Sequence, residues 1–227
     1  MRLVQGKFDQ ETVFSEDPVE MAVHWASLGA KRLHVVDLDG ARTGEPRNLE
    51  VVRRIAEAVE IPVQVGGGIR TCETAEEVLA LGVDRVIIGT SAALDRELAR
   101  AFFDEFGDRL VVGIDGSDGR VAIRGWQEVL EEKAVDFARE MESLGVRRIV
   151  YTDIARDGML QGPNIAAVEE IARAVAVPVI ASGGVAHLVD IRSLKKLAPL
   201  GVEGVIVGKA LYTESLDLRQ AISLAED

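Results

Sequence analysis

The sequence predicts an α/β barrel built from two similar halves, and three observations carry that prediction. Short runs rich in Val, Ile and Leu alternate with longer helical patterns along the chain. Those runs are nearly continuous rather than alternating, as in parallel strands covered on both faces. The chain also resembles itself at a fixed separation. A doubly wound open sheet has no reason to do so, whereas two units of four strand–helix pairs close into an eight-stranded barrel.

The elements follow in order. Asp17 caps a helix over residues 18–28, with Pro18 at its first position and Gly29 just past its end. A strand at 32–38 precedes a helix at 48–59, then come strand 63–65, helix 72–81, strand 85–88 and helix 96–106. The second half runs as strand 110–114, helix 132–144, strand 148–152, helix 165–174, strand 179–181, helix 189–197, strand 204–207 and helix 216–224. Seven strands result, and no linker divides them. Residues 1–227 therefore read as one barrel domain, with halves at about 1–109 and 110–227.

The repeat is specific. Asp37 and Asp153, Asn48 and Asn164, Pro62 and Pro178, and Gly68 and Gly184 all stand 116 residues apart, each within a matching context. Val86-Ile87-Ile88-Gly89 and Val205-Ile206-Val207-Gly208 match at 119, which places a small insertion between. At the first spacing, the counterpart of Val111-Val112-Gly113-Ile114-Asp115 falls just ahead of Met1. The first strand of the first half is thus expected to be missing from the chain as given. Two strand edges would then lie unpaired, unless residues 1–6 slide into the vacant slot.

Composition narrows the function. A formal net charge of −12, with no basic stripe, argues against nucleic acid as a partner. A single cysteine excludes a disulfide framework and suits a reducing compartment. No apolar stretch is long enough for a membrane span, and no signal peptide is apparent, so a cytoplasmic monomer is expected. The three histidines, His24, His34 and His187, have no metal spacing, and neither metal nor cofactor is expected. His34 reads as a satisfied buried residue, Trp25 as core and Cys72 as incidental, although a helix start can lower a thiol pKa.

Four glycine-containing turns carry the chemistry. Gly66-Gly67-Gly68-Ile69-Arg70 follows a strand and opens a helix, where backbone amides and the helix dipole suit a phosphate. Ser182-Gly183-Gly184 repeats it. Gly89-Thr90-Ser91 and Gly208-Lys209-Ala210 end the next strand in each half. Phosphate sites in barrels commonly use two consecutive loops of this kind. Gly67, Gly68, Arg70, Gly89 and Thr90 form one candidate site, and Gly183, Gly184, Gly208 and Lys209 the other. The expected ligand is a small molecule with an anion at each end; tight turns alone are the plainer alternative.

Carboxylates at strand ends come next. Asp115 leads into what reads as a flexible loop, Gly116-Ser117-Asp118-Gly119, and Asp157 lies in another. Asp37 and Asp153 are repeat equivalents, and their residues leave a structural and a functional role equally open. Thr152 can orient a carboxylate or bond the substrate, and Trp126 can stack on a heterocycle.

These segments resemble the ProFAR isomerase family of histidine biosynthesis. The resemblance rests on Arg2-Leu3-Val4-Gln5-Gly6, His34 to Ala41, Gly66 to Arg70, Thr152 to Asn164 and Ala181 to Val185, and spans essentially the whole chain. It implies a barrel, no cofactor and an Amadori rearrangement of an aminoaldose bisphosphate. An acid would protonate the ribose ring oxygen, and a base would take the neighbouring carbon-bound proton. By the resemblance Asp115 is the proton donor, Thr152 and Asp157 are its companions, Arg2 reaches the substrate and Trp126 stacks on it. Whether Asp115 or Asp157 delivers the proton stays open. The family's base ends its first strand, ahead of Met1 here, so little or no turnover is expected of the chain as written. Three alternatives remain: the related cyclase of imidazole glycerol phosphate synthase, a bifunctional isomerase also acting on phosphoribosylanthranilate, and a bisphosphate binder without catalysis.

Overall fold

The computed structural model of the chain describes the backbone of residues 2–4 and 7–226, and side chains from residue 12 to 226. Strands β1 (Arg2–Val4) and β2 (Lys7–Thr12) pair antiparallel. Helix α1 (Pro18–Ser27) follows, with Asp17 accepting from the Val19 and Glu20 amides as its cap. The first half then runs β3 (Leu33–Val36), α2 (Leu38–Thr43), α3 (Leu49–Ala58), β4 (Val63–Gly66), α4 (Cys72–Ala80), β5 (Arg85–Ile88), α5 (Thr90–Leu94) and α6 (Arg96–Phe106). The second half opens with β6 (Leu110–Ser117), β7 (Arg120–Ile123), β8 (Glu128–Lys133), α7 (Ala134–Leu144) and β9 (Ile149–Asp153). It closes with α8 (Ile165–Ala174), β10 (Val179–Ser182), α9 (Leu188–Lys195), β11 (Val202–Ile206), α10 (Lys209–Tyr212) and α11 (Leu218–Glu226).

Seven parallel strands lie in the order β11–β10–β9–β6–β5–β4–β3, forming the curled wall of an α/β barrel. These are the seven strands expected. Among the described residues, no strand bridges β3 and β11. Strand residues alternate between two apolar environments. One set, including Val86, Ile88, Leu110, Val112 and Ile149, packs against the helices in the larger core. The other set, Val111, Val150 and Ile180 with Ile87 and Ile206, fills the inside of the wall.

The duplication reaches the ion pairs at the strands' N-terminal ends. Arg32 pairs with Asp84, and its repeat counterpart Arg148 pairs with Glu203. Arg85 sits between them with burial and the neighbouring arginines lowering its pKa. It also contacts Asp84 at 3.2 Å. His34 and the buried Gln64, register neighbours on β3 and β4, hydrogen-bond at 2.9 Å. His34 is therefore half-buried and partnered rather than fully enclosed.

Three expectations need correction. Leu38 leaves the strand and starts α2, because Asp37 caps that helix through the Gly40 amide. Glu132 and Lys133 belong to β8, not to the helix that begins at Ala134. The stretch 116–119 is no flexible loop. Asp118 (φ 48°) and Gly119 (φ 76°) both take left-handed backbone, and Ser117 pairs with Arg120. That is a two-residue turn of the type that asparagine- or aspartate-glycine pairs favour, and it folds β7 back on β6. The β7–β8 pair leaves the barrel wall here and returns to α7.

The turn supplies a stability test. A Cβ at Gly119 meets nothing within 4 Å, so its cost is purely conformational. Gly119→Ala is expected to lower unfolding free energy by about 1 kcal/mol in urea denaturation.

Candidate active site

In a parallel sheet every strand ends on the same side, so the four glycine turns lie around one mouth. The strand order gives their arrangement. Turns after β4 and β5 lie on one side, turns after β10 and β11 on the other, with β6 and β9 between.

Two buried aspartates build the two halves of the mouth alike. Asp37 Oδ1 accepts from the Gly40 amide at 2.9 Å and the Asn48 side chain at 2.7 Å. Its Oδ2 accepts from the Arg47 and Asn48 amides at 2.6 and 3.0 Å. Asp153 accepts from the Arg156 amide at 3.2 Å and from Asn164 Nδ2 at 2.7 Å. Both carboxylates thus hold loops, which shows the structural role that the sequence left open. Burial pushes the Asp37 pKa up, but the donors from Arg47, Gly40 and Asn48 outweigh it and hold the carboxyl below its usual value. Asn164 still caps α8 through the Ala167 amide, while Asn48 makes no side-chain cap to α3.

Each glycine turn then packs directly on its aspartate's backbone. A Cβ on Gly67 would fall 2.2 Å from the Asp37 carbonyl oxygen, and one on Gly183 would fall 2.6 Å from that of Asp153. A Cβ on Gly68 would fall 2.6 Å from the Glu45 carbonyl carbon, and one on Gly184 would fall 2.5 Å from the Gly162 carbonyl oxygen. All four have φ between 80° and 110°. The repeat seen in the sequence is therefore a repeat of close backbone contacts.

The second pair of turns joins the first. Ser91 Oγ donates to the Ile69 carbonyl at 3.3 Å, which ties Gly89 and Thr90 to the Gly67–Gly68 turn. On the other side, Gly183, Gly184, Gly208, Lys209 and Asp157 line one shallow cleft open to solvent. Lys209 Nζ donates to the Gly158 carbonyl at 2.9 Å, so the ammonium is placed by the loop that carries Asp157. Arg70 is exposed and lies against the loop after α2: a Cβ on Gly44 would fall 2.1 Å from its Nη1. The Arg2 side chain lies outside the described residues.

Asp115 and Thr152 occupy the two strands between the turns and are direct register partners. Burial raises the Asp115 pKa to about 6, against hydrogen bonds donated by the Trp126 indole and the Thr152 hydroxyl; the nearby Asp157 charge also raises it. A carboxyl of that kind stays partly protonated near neutral pH and can hand a proton to a ligand. Trp126 is half-buried on the β7–β8 turn, where Arg124, Gly125 and Trp126 have φ of 56°, 64° and 71°. Two non-glycine residues in that region cost about 1 kcal/mol or more each, so the surrounding contacts must hold the turn.

Sequence reasoning missed three things here: the short helices α2, α5 and α10 behind the turns, the bond between Thr90 and the Trp126 turn, and the direction of the Cys72 shift. Burial first, then Glu105, pushes the Cys72 thiol up to about 11, the reverse of what a helix start alone would do. A signal for the missing turn existed in Asp118-Gly119. None existed for Thr90, whose partner is 34 residues away.

These features define a class: a two-fold α/β barrel with paired glycine turns around an inward carboxyl. The chain belongs to the histidine biosynthesis protein family, whose model matches residues 1–217. It is 55% identical over 226 residues to 1-(5-phosphoribosyl)-5-((5-phosphoribosylamino)methylideneamino)imidazole-4-carboxamide isomerase of Acetivibrio thermocellus, covering 100% of this chain and 94% of that protein. The same-named protein of Thermoanaerobacter pseudethanolicus matches with the same identity and coverage. That of Moorella thermoacetica is 53% identical over 227 residues, covering 100% of this chain and 93% of its own.

The buried carboxylates can be tested directly. Asp37→Ala leaves several buried donors without a partner and is expected to cost about 3 kcal/mol at neutral pH, read by urea unfolding. The native Asp37 pKa is depressed, so its contribution is complete above the unfolded value of about 3.9. The difference between variant and parent should shrink as pH falls through the native value.

Proposed function

We propose that this chain is a ProFAR isomerase of histidine biosynthesis, acting on the bisphosphate named in its relatives. The observation that carries the reading is the placement of Asp115, whose pKa burial raises to about 6, between two pairs of glycine turns on one barrel mouth. The first pair, Gly67-Gly68 with Gly89-Thr90, takes one phosphate, and the second, Gly183-Gly184 with Gly208-Lys209, takes the other. Arg2 and Arg70 assist at the substrate, and Trp126 stacks on its heterocycle. Amides rather than a wholly basic surface do the holding, which suits a protein of net charge −12. The protein works as a cytoplasmic monomer.

The chemistry is proton transfer alone. Asp115 gives its proton to the ribose ring oxygen, and the ring opens to a protonated imine. Removal of the proton on the adjacent carbon gives an enolamine, which tautomerises to the aminoketose. Thr152 orients the acid, and Asp157, by its charge, keeps the acid's proton on at higher pH. The carbon-bound proton passes to a second carboxylate, which none of the residues placed here supplies. The alternation of roles matches the usual separation of an acid and a base by environment.

The test is Asp115→Asn in the full chain: the variant should lose about a hundred- to ten-thousand-fold in kcat for ProFAR with little change in affinity by calorimetry. A comparable loss of affinity would make Asp115 structural. The parent's kcat/KM should fall as pH rises above about 6, because the acid form is lost, and the fall should be about tenfold per pH unit. Asp115 ionises at a cost to stability, since its native pKa is raised, so Asp115→Asn should also melt higher than the parent at pH 8.

A further inference from the structure

The turn that presents Trp126 is held from outside itself. Arg124, Gly125 and Trp126 take three successive left-handed conformations, an arrangement that short polypeptide does not adopt unaided. The base of the β7–β8 pair is pinned to α6: Arg96 grips Glu132 at 2.8 and 2.9 Å and also bonds the Ala92 and Ala93 carbonyls. The tip is a different matter. Among the described residues, two bonds lead from it to the barrel. One is the Trp126 indole on Asp115. The other is the Arg124 amide, which donates to Thr90 Oγ at 2.9 Å. An Arg124–Glu128 ion pair at 3.2 Å closes the turn on itself without reaching the wall.

We propose that Thr90 is a positioning residue for the acid: its hydroxyl oxygen fixes the Arg124 amide, and so holds the 124–126 turn in the one shape that brings the Trp126 indole onto Asp115. The proposal rests on the reading of Asp115 as the acid, and adds to it how that acid is kept in register. Thr90 is well built for the task. It is the first residue of α5, directly after β5, and α5 is tied both to the Ile69 turn and to Arg96. The wall strand β5 is the register neighbour of β6, which carries Asp115. A hydroxyl has two lone pairs and one proton, so accepting from Arg124 leaves the proton for a phosphate seated at the same turn. Losing the indole donor removes one of the two bonds that favour ionised Asp115, so the acid's pKa should climb when the turn is released. The charged group acting on it is Asp157, from the loop after β9.

The experiment uses the full chain with Trp25→Phe, which leaves Trp126 as the only tryptophan. Emission of Trp126 is followed from pH 4 to 8. The parent should show a titration near pH 6 as Asp115 ionises beneath the indole. In Thr90→Val and in the smaller Thr90→Ala, that titration should lose at least half its amplitude, with emission moved to the red. Thr90→Ser, which keeps the hydroxyl, should restore it. In assays with ProFAR, the Val and Ala variants should lose about tenfold in kcat while the high-pH limb moves upward. KM should rise as well from the lost bond to phosphate; a loss of binding alone would leave the high-pH limb in place. Circular dichroism confirms that each variant is folded. Parent-like titration in both Val and Ala variants would overturn the proposal. If the fluorescence behaves as stated but the chain does not turn over ProFAR, the positioning role of Thr90 stands and the isomerase reading falls.

Discussion

The mouth of this barrel depends on two buried carboxylates that hold its loops. Asp37 and Asp153 sit inside their loops, draw in backbone and asparagine N–H groups, and set the carbonyls against which the glycine turns lie. A buried charge is tolerable only when donors surround it. Here those donors come from three residues on and again from ten or eleven residues on, so each aspartate fixes a whole strand-to-helix connection. The turn that follows the next strand then has a rigid surface to pack on, and glycine is the residue that can come close enough.

The division of labour among the aspartates follows from their surroundings. Asp37 is lowered by donors, whereas Asp115 is raised by burial and a neighbouring carboxylate despite two donors. The same side chain thus serves as a permanent anion in one place and as a proton reservoir in another. Duplication accounts for the pair of loop-holding carboxylates, since Asp37 and Asp153 each bond an amide three residues on and an asparagine eleven residues on. It does not account for the whole mouth. The β7–β8 excursion has an antiparallel pair, β1–β2, near its repeat-equivalent place in the first half, but the position 116 residues before Trp126 is Gln10, so the tryptophan breaks the symmetry at the acid.

Much of this was legible in the residues. Parallel strands announced themselves as unbroken apolar runs, and the 116-residue spacing identified both glycine turns, both aspartates and both asparagines. Strand 85–88 and helices 96–106 and 165–174 stand where their patterns place them. The sequence was silent where structure depends on contacts distant along the chain. Asp37 and Asp153 read as catalytic or structural with equal ease, because only their partners distinguish the two. The Thr90–Arg124 bond leaves no periodicity. The Asp118-Gly119 turn did carry a local signal, but its flanks were too short and polar on one side to stand out as strands.

The most direct measurement is a crystal structure of the chain with ProFAR or its ketose product bound. One phosphate should lie on the amides of Gly67–Gly68 and Gly89–Thr90, the other on those of Gly183–Gly184 and Gly208–Lys209, with the sugar ring oxygen beside Asp115. A ligand seated elsewhere, or a phosphate that leaves one glycine pair unused, would contradict the account.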